Sequence, residues 1–228
     1  MKKHIPNTLT CLNLFSGCIG ILFALRGEFS VTFYCVLASG VFDFFDGMVA
    51  RALHVKSNIG KELDSLADVV SFGFLPGTVM YMLLKETDVS EYWAYLGFVI
   101  TVFSALRLAK FNVDERQATD FIGLNTPMNT FFIISLPFIA KDYPQLIINP
   151  WGLSAIVLLS SFLLVSEIKL FSMKLSSLGW KENQLKYIFV IISVVLLFVL
   201  GFLALPCVLL LYIVLSQVHF ARERNTIA

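Results

Sequence analysis

From Tyr187 to His219 the chain carries no Asp, Glu, Lys or Arg. As one helix this run would be about 48 Å long at 1.5 Å per residue, too long for a hydrocarbon core of about 30 Å. Gly201 and Pro206 offer a break, so the run predicts a hairpin of two membrane spans, over 184–200 and 203–220. Six earlier apolar blocks read as helices over 9–26, 30–53, 63–84, 92–111, 124–140 and 151–172. Composition agrees: the chain is 57% hydrophobic and 14% charged, where a soluble domain carries roughly 25% charge. The fold class expected is all-α: a polytopic transmembrane bundle of about eight helices, forming a single integral-membrane domain over 1–228 with no soluble domain of any size. Met1-Lys2-Lys3-His4 imitates a signal-peptide n-region, but no small-residue cleavage site follows, so a retained first helix is expected.

Basic residues set the orientation of such a bundle. With both termini on one side, that side holds fourteen of the 17 Lys and Arg residues. They are Lys2, Lys3, Arg51, Lys56, Lys61, Arg107, Lys110, Arg116, Lys169, Lys174, Lys181, Lys186, Arg222 and Arg224. Arg26, Lys85 and Lys141 remain for the other. The bias puts both termini in the cytoplasm and the chain in the cytoplasmic (inner) membrane. Joining the last two spans would carry Arg222 and Arg224 outside, which the bias disfavours. Trp93, Trp151 and Trp180 fall at expected helix ends, as interfacial aromatics do. Cys11, Cys18, Cys35 and Cys207 have no metal-type spacing and form no visible disulfide framework. No internal repeat is visible, and no nucleic-acid partner is expected.

Against this background, Asp43, Asp46, Asp64 and Asp68 stand out, because ionised carboxylates in or near a bilayer core are costly and mark functional sites. Asp43, Asp46, Gly47, Ala50 and Arg51 have the spacing of one face of the second helix. Gly60, Asp64 and Asp68 share a face at the start of the third. The intervening polar turn, with His54 as a surface residue, lets two antiparallel helices aim four carboxylates at one spot. Oxygen ligands suit hard divalent cations such as Mg²⁺, Mn²⁺ or Ca²⁺. The absence of His and Cys from the cluster argues against zinc. Gly47, Ala50 and Gly60 leave room for a ligand lying against the helices, and Arg51 is a fixed cation suited to phosphate. The combination reads as a diphosphate site, and with two metals as one for phosphoryl transfer. A cation-coupled transporter is the rival reading; paired halves and broken helices in corresponding positions would mark one, and the sequence has neither.

At these residues the sequence resembles the CDP-alcohol phosphotransferase family. The family pattern is D-x2-D-G-x2-A-R-x8-G-x3-D-x3-D, and Asp43, Asp46, Gly47, Ala50, Arg51, Gly60, Asp64 and Asp68 fill every fixed position. The resemblance implies transfer of a phosphatidyl or phosphoalcohol group from a CDP-linked donor to an alcohol, with release of CMP. It implies two divalent cations on Asp43, Asp46, Asp64 and Asp68, with Asp68 also the base that takes the acceptor's hydroxyl proton. Gly47, Ala50, Arg51 and Gly60 would accommodate the CDP moiety. Pro6-Asn7-Thr8-Leu9-Thr10 with Asn13 resembles the segment that opens the first helix in the family, which assigns Asn13 to the same moiety.

Flanking segments resemble the family's serine-using, phosphatidylserine-forming branch. The segment Gly60–Gly73, GKELDSLADVVSFG, is one. Another runs from Ala105 to Val113, where Lys110 replaces the arginine usual before Phe-Asn. Gly123-Leu-Asn125-Thr126-Pro127 stands where that branch has Gly-Leu-Pro-x-Pro. The implied substrates are CDP-diacylglycerol, entering from membrane lipid, and L-serine, and a homodimer is implied as well. Serine brings an ammonium, a carboxylate and the attacking hydroxyl, so Arg107 and Lys110 are expected to meet its carboxylate or the donor phosphate. Asn112, Asn125 and Ser71 are further candidate contacts. The alternative within the family is an acceptor such as glycerol 3-phosphate or inositol. The catalytic motif spans 43–68, and the helices over about 151–220 are read as accessory.

Overall fold

The structure, a computed structural model, describes residues 4–55, 57–114, 116, 121–173 and 179–227, without the side chains of 181, 182 and 223–227. Lys2, Lys3, Lys56 and Lys174, and the side chains of Lys181 and Arg224, all counted in the orientation above, lie outside the described residues. Eight long helices make up the described chain: α1 His4–Leu25, α2 Phe29–Ala52, α3 Asn58–Lys85, α4 Glu91–Val113, α5 Thr126–Asp142, α6 Pro150–Val165, α7 Trp180–Leu200 and α8 Ala204–Ile227. A single turn, Pro144–Ile147, links α5 to α6. The strands are two-residue pieces, β1 Phe121–Ile122 and β2 Lys169–Leu170, paired antiparallel. The chain is an all-α integral membrane protein. His4–Leu25, Phe29–Ala52, Asn58–Lys85 and Glu91–Val113 are each long and apolar enough to span a bilayer, as is the stretch Asn183–Arg222.

That last stretch is not one rod. Gly201 adopts φ 56°, ψ −127°, a conformation open almost only to glycine. The chain turns back there, and the rings of Phe189 and Tyr212 sit 5.5 Å apart. On one straight helix they would be about 34 Å apart at 1.5 Å per residue. The hairpin is the arrangement expected from its length.

The helix expected over 151–172 ends early, at Val165. Ser166 is extended at φ −65°, ψ 156°, and the chain runs on into β2. The Gly123 N–H bonds the Ile168 carbonyl at 2.9 Å, and the Leu124 N–H bonds the Leu163 carbonyl at 2.9 Å. Gly123 itself has φ 77°, and a Cβ there would lie 2.6 Å from the Leu164 carbonyl oxygen. The segment before α5 thus competes for the backbone groups at the end of α6, a long-range pairing that local apolarity does not reveal. The first helix begins at His4 rather than near residue 9, because Pro6 is tolerated in a first helical turn.

The motif helices are fixed by close packing together with buried hydrogen bonds. A Cβ on Gly17 would lie 2.9 Å from Ser71 Cα, so only glycine lets α1 cross α3 at this depth. At that crossing α3 widens into a π turn, Val70–Phe74. Pro76 explains it: proline has no N–H and its ring clashes with the carbonyl four residues back, that of Phe72. The Leu75 N–H bonds Val70 instead. The freed carbonyls are taken by neighbouring helices: Thr130 Oγ1 donates to Phe72 at 3.0 Å and Thr101 Oγ1 to Gly73 at 3.1 Å. The main core, including Phe72, Leu75, Val79, Met80, Ile133, Ile134, Leu153 and Val157, joins α3, α5 and α6. A second cluster of Leu170, Phe171, Phe189, Leu209 and Tyr212 binds the hairpin to β2. There Tyr212 donates its hydroxyl to the Phe171 carbonyl at 2.7 Å.

The helix ends meet as alternating spans require. Trp93 Nε1 donates to Ser154 Oγ at 3.0 Å and its ring lies 5.4 Å from that of Trp151, so α4 and α6 start at the same end. At the opposite end Lys61 Nζ, at the start of α3, donates to the carbonyl of Asn112 at the end of α4, at 2.6 Å. Gly17→Leu is expected to force α1 away from the π turn at an overpacking cost of about 1–3 kcal/mol. A thermal-stability assay in detergent would read this as a lowered melting temperature, with Gly17→Ala milder.

Candidate active site

Of the four aspartates expected at one spot, three converge, in the halves of α2 and α3 that adjoin the turn between them. Asp43 from α2 and Asp64 and Asp68 from α3 each offer a carboxylate oxygen within 4.8 Å of the others. Asp46 lies one turn along α2 and is 7% exposed. Asp68 is 9% exposed. Carboxylates so close repel one another and are stable together only with cations or protons between them. Three acidic oxygens from two helices form the donor set a hard divalent cation takes, and no nitrogen or sulfur ligand stands among the described residues of the cluster. The residues therefore fit such an ion.

Beside the cluster is a cavity of about 380 Å³ lined by Pro6, Asn7, Thr10, Asp46, Gly47, Ala50, Val55, Ser57, Asn58, Gly60, Lys61 and Asp64. The expected small residues form its wall. A Cβ on Gly60 would come within 3.2 Å of Asn7 Oδ1 and of Ser57 Oγ, so a larger side chain would fill this space. Ser57 caps α3, accepting the Gly60 N–H at 2.8 Å, which leaves the first turn of α3 bordering the cavity. Arg51 is exposed, and its Nη1 would be 3.5 Å from a Cβ on Gly47, so the guanidinium folds back along the small-residue face.

Asn13 does not line this cavity. It is fully buried, and its Nδ2 donates to Asp68 Oδ1 at 3.2 Å. Its backbone carbonyl accepts the hydroxyls of Ser39 at 3.1 Å and Ser71 at 3.0 Å. Ser71 is thus spent on holding α1. Asn112 is spent similarly, donating to Ser65 Oγ at 2.7 Å across α3 and α4. Asn125 caps α5, its Oδ1 accepting the Met128 N–H at 2.8 Å. That cap does the work of starting a helix at the loop where the branch pattern has proline. Thr10, which the sequence marks only as part of the segment that opens the first helix, is not among the expected site residues: its hydroxyl donates to Asp46 Oδ2 at 2.6 Å. The available signal was its place three residues before Asn13, on the same helix face.

Arg107 is 6% exposed, stacked over the Phe111 ring at 5.0 Å, and within electrostatic reach of Asp68 and Tyr212. Its Nε has no hydrogen-bond partner among the described residues. An unpartnered buried donor costs about 1–3 kcal/mol, so a ligand oxygen would be welcome there. Arg107 also lines a second cavity of about 230 Å³ with Lys110, Val113 and Asp114. Lys110 Nζ donates to the Val165 carbonyl at 3.5 Å and remains exposed.

Residues 3–173 match the family described as CDP-alcohol phosphatidyltransferase. With three quarters of its length matched, the chain belongs to that family. It is 32% identical over 219 residues to the CDP-diacylglycerol–serine O-phosphatidyltransferase of Helicobacter pylori strain 26695, covering 94% of this chain and 90% of that protein. The enzyme of the same name from Bacillus subtilis strain 168 is 31% identical over 171 residues, covering 73% and 89%. An archaetidylserine synthase of Methanothermobacter thermautotrophicus is 31% identical over 170 residues, covering 72% and 68%. If the cavity beside Gly60 takes the CDP group, Gly60→Val should weaken CDP binding by roughly tenfold, about 1.4 kcal/mol. Calorimetry on the purified protein measures this, with the melting temperature as the check on folding.

Proposed function

We propose that the protein transfers the phosphatidyl group of CDP-diacylglycerol to the hydroxyl of L-serine, giving phosphatidylserine and CMP. The observation that carries this reading is the convergence of Asp43, Asp64 and Asp68 within 4.8 Å, beside a cavity walled by Gly47, Ala50 and Gly60. Relatives that share most of the chain's length and carry serine-transferase names support the choice of acceptor.

Asp43, Asp46, Asp64 and Asp68 would hold two divalent cations, Mg²⁺ or Mn²⁺, which when bound neutralise charge on the diphosphate oxygens. Gly47, Ala50 and Gly60 let the CDP group lie against the helices, and Arg51 pairs with its phosphate. The acyl chains stay in lipid. Serine's hydroxyl oxygen attacks the phosphorus bonded to diacylglycerol, and the bond from that phosphorus to the CMP oxygen breaks. The hydroxyl proton passes to Asp68, and CMP leaves. Arg107, buried near Asp68 with its Nε free among the described residues, meets the serine carboxylate, with Lys110 at the mouth of the second cavity. The basic-residue bias supports an active site facing the cytoplasm from the inner membrane. A homodimer rests on the family resemblance alone.

The test is an acceptor panel with purified protein, CDP-diacylglycerol and Mn²⁺ or Mg²⁺. Serine should release CMP; use of glycerol 3-phosphate or inositol with serine ignored overturns the acceptor. Chelation of the cations should abolish turnover. Asp68→Asn should lower kcat by at least roughly a hundredfold, the lower range for a general base, and turnover equal to the parent's would sink that role. Arg107→Met should raise the KM for serine by about tenfold or more while sparing that for CDP-diacylglycerol.

A further inference from the structure

We infer that Thr10 and Asn13 of α1 are positioning residues that set the geometry of the aspartate cluster from outside the aspartate motif. The inference rests on the reading that the aspartates hold divalent cations. Thr10 Oγ1 donates to Asp46 Oδ2 at 2.6 Å, and Asn13 Nδ2 donates to Asp68 Oδ1 at 3.2 Å. One helix therefore holds one carboxylate on each of the two motif helices. Each bond takes up one oxygen and fixes the rotation of that carboxylate, which determines how its second oxygen faces a cation. Outer partners of this kind orient ligands and change metal affinity about 10–100-fold when removed.

Three observations separate this from ordinary packing. Both side chains are buried, Thr10 at 3% exposure on the wall of the first cavity and Asn13 at 0%, so solvent competes little for either bond. Asn13 Oδ1 has no hydrogen-bond partner among the described residues. A purely structural asparagine would satisfy both ends of its amide; this one gives its N–H to Asp68 and leaves its oxygen unpaired. Turning the amide over would set oxygen against oxygen, so the carboxylate dictates its orientation. Finally, α1 is itself clamped at this level. Ser39 and Ser71 donate to the Asn13 carbonyl from α2 and α3, and Gly17 admits Ser71 one helical step beyond. The donors thus sit on a fixed rail rather than on a mobile helix.

The experiment measures Mn²⁺ binding directly, from the electron paramagnetic resonance of free Mn²⁺, on purified protein without substrate. Thr10→Val, close in shape but without a donor, and Asn13→Leu should each weaken Mn²⁺ binding by about tenfold or more. Thr10→Ser should bind within about threefold of the parent, and Thr10→Cys, a weaker donor of similar size, should fall between Ser and Val. Should Thr10→Val or Asn13→Leu not fold, the Ser–Cys comparison still decides: equal affinities for those two overturn the inference. A lowered melting temperature with Mn²⁺ affinity unchanged also overturns it, leaving Thr10 and Asn13 as packing residues. The underlying reading is tested separately by the parent and Asp64→Asn. If the parent binds no Mn²⁺, or Asp64→Asn binds it equally well, the cation reading itself fails.

Discussion

Mutual repulsion among four carboxylates at the end of an apolar bundle is the constraint to which the surrounding structure answers. Nothing in the hydrophobic effect favours this arrangement, since burying an ionised group without a partner is costly. The helices must hold the acids together while leaving room for charge to be neutralised. They do so with close backbone approach at Gly17, with a π turn that Pro76 imposes, and with threonine hydroxyls that bond the Phe72 and Gly73 carbonyls of that turn. The first helix, which carries no acid between His4 and Leu25, is what joins the two acidic helices.

The bundle divides its labour along the chain. The main core joins α3, the helix that carries Asp64 and Asp68, to α5 and α6. The C-terminal hairpin, which holds no part of the aspartate motif, packs on β2 through Phe171 and Tyr212. Through Tyr212 it also comes within electrostatic reach of Arg107. The Tyr212 hydroxyl, bonded to the Phe171 carbonyl, ties the hairpin to the segment that follows α6. This gives the last helices a place in the bundle that their uniform apolarity could not provide.

Much of this was legible in the chain. Span length and the break at Gly201 gave the hairpin, because bilayer thickness limits any uncharged run. The i, i+3 and i+4 spacings of Asp43, Asp46, Asp64 and Asp68 gave the cluster, because helical periodicity fixes which side chains share a face. The end of α6 was not legible, since it depends on Gly123 and Leu124 pairing with a segment far along the chain. Nor were the commitments of Asn112, Asn125 and Ser71, polar residues whose partners are chosen by neighbouring helices rather than by local sequence.

The sequence by itself determined that the chain is a membrane bundle and that its acids meet at one end, because both follow from periodicity and length within single helices. Only the tertiary structure decided which side chains hold those acids. Resemblance marked the segment of Thr10 and Asn13, but not which side chains of α2 and α3 these two residues meet. Their contacts with Asp46 and Asp68 exist because α1 lies within bonding distance of both motif helices, and that depth is set by what packs against Gly17.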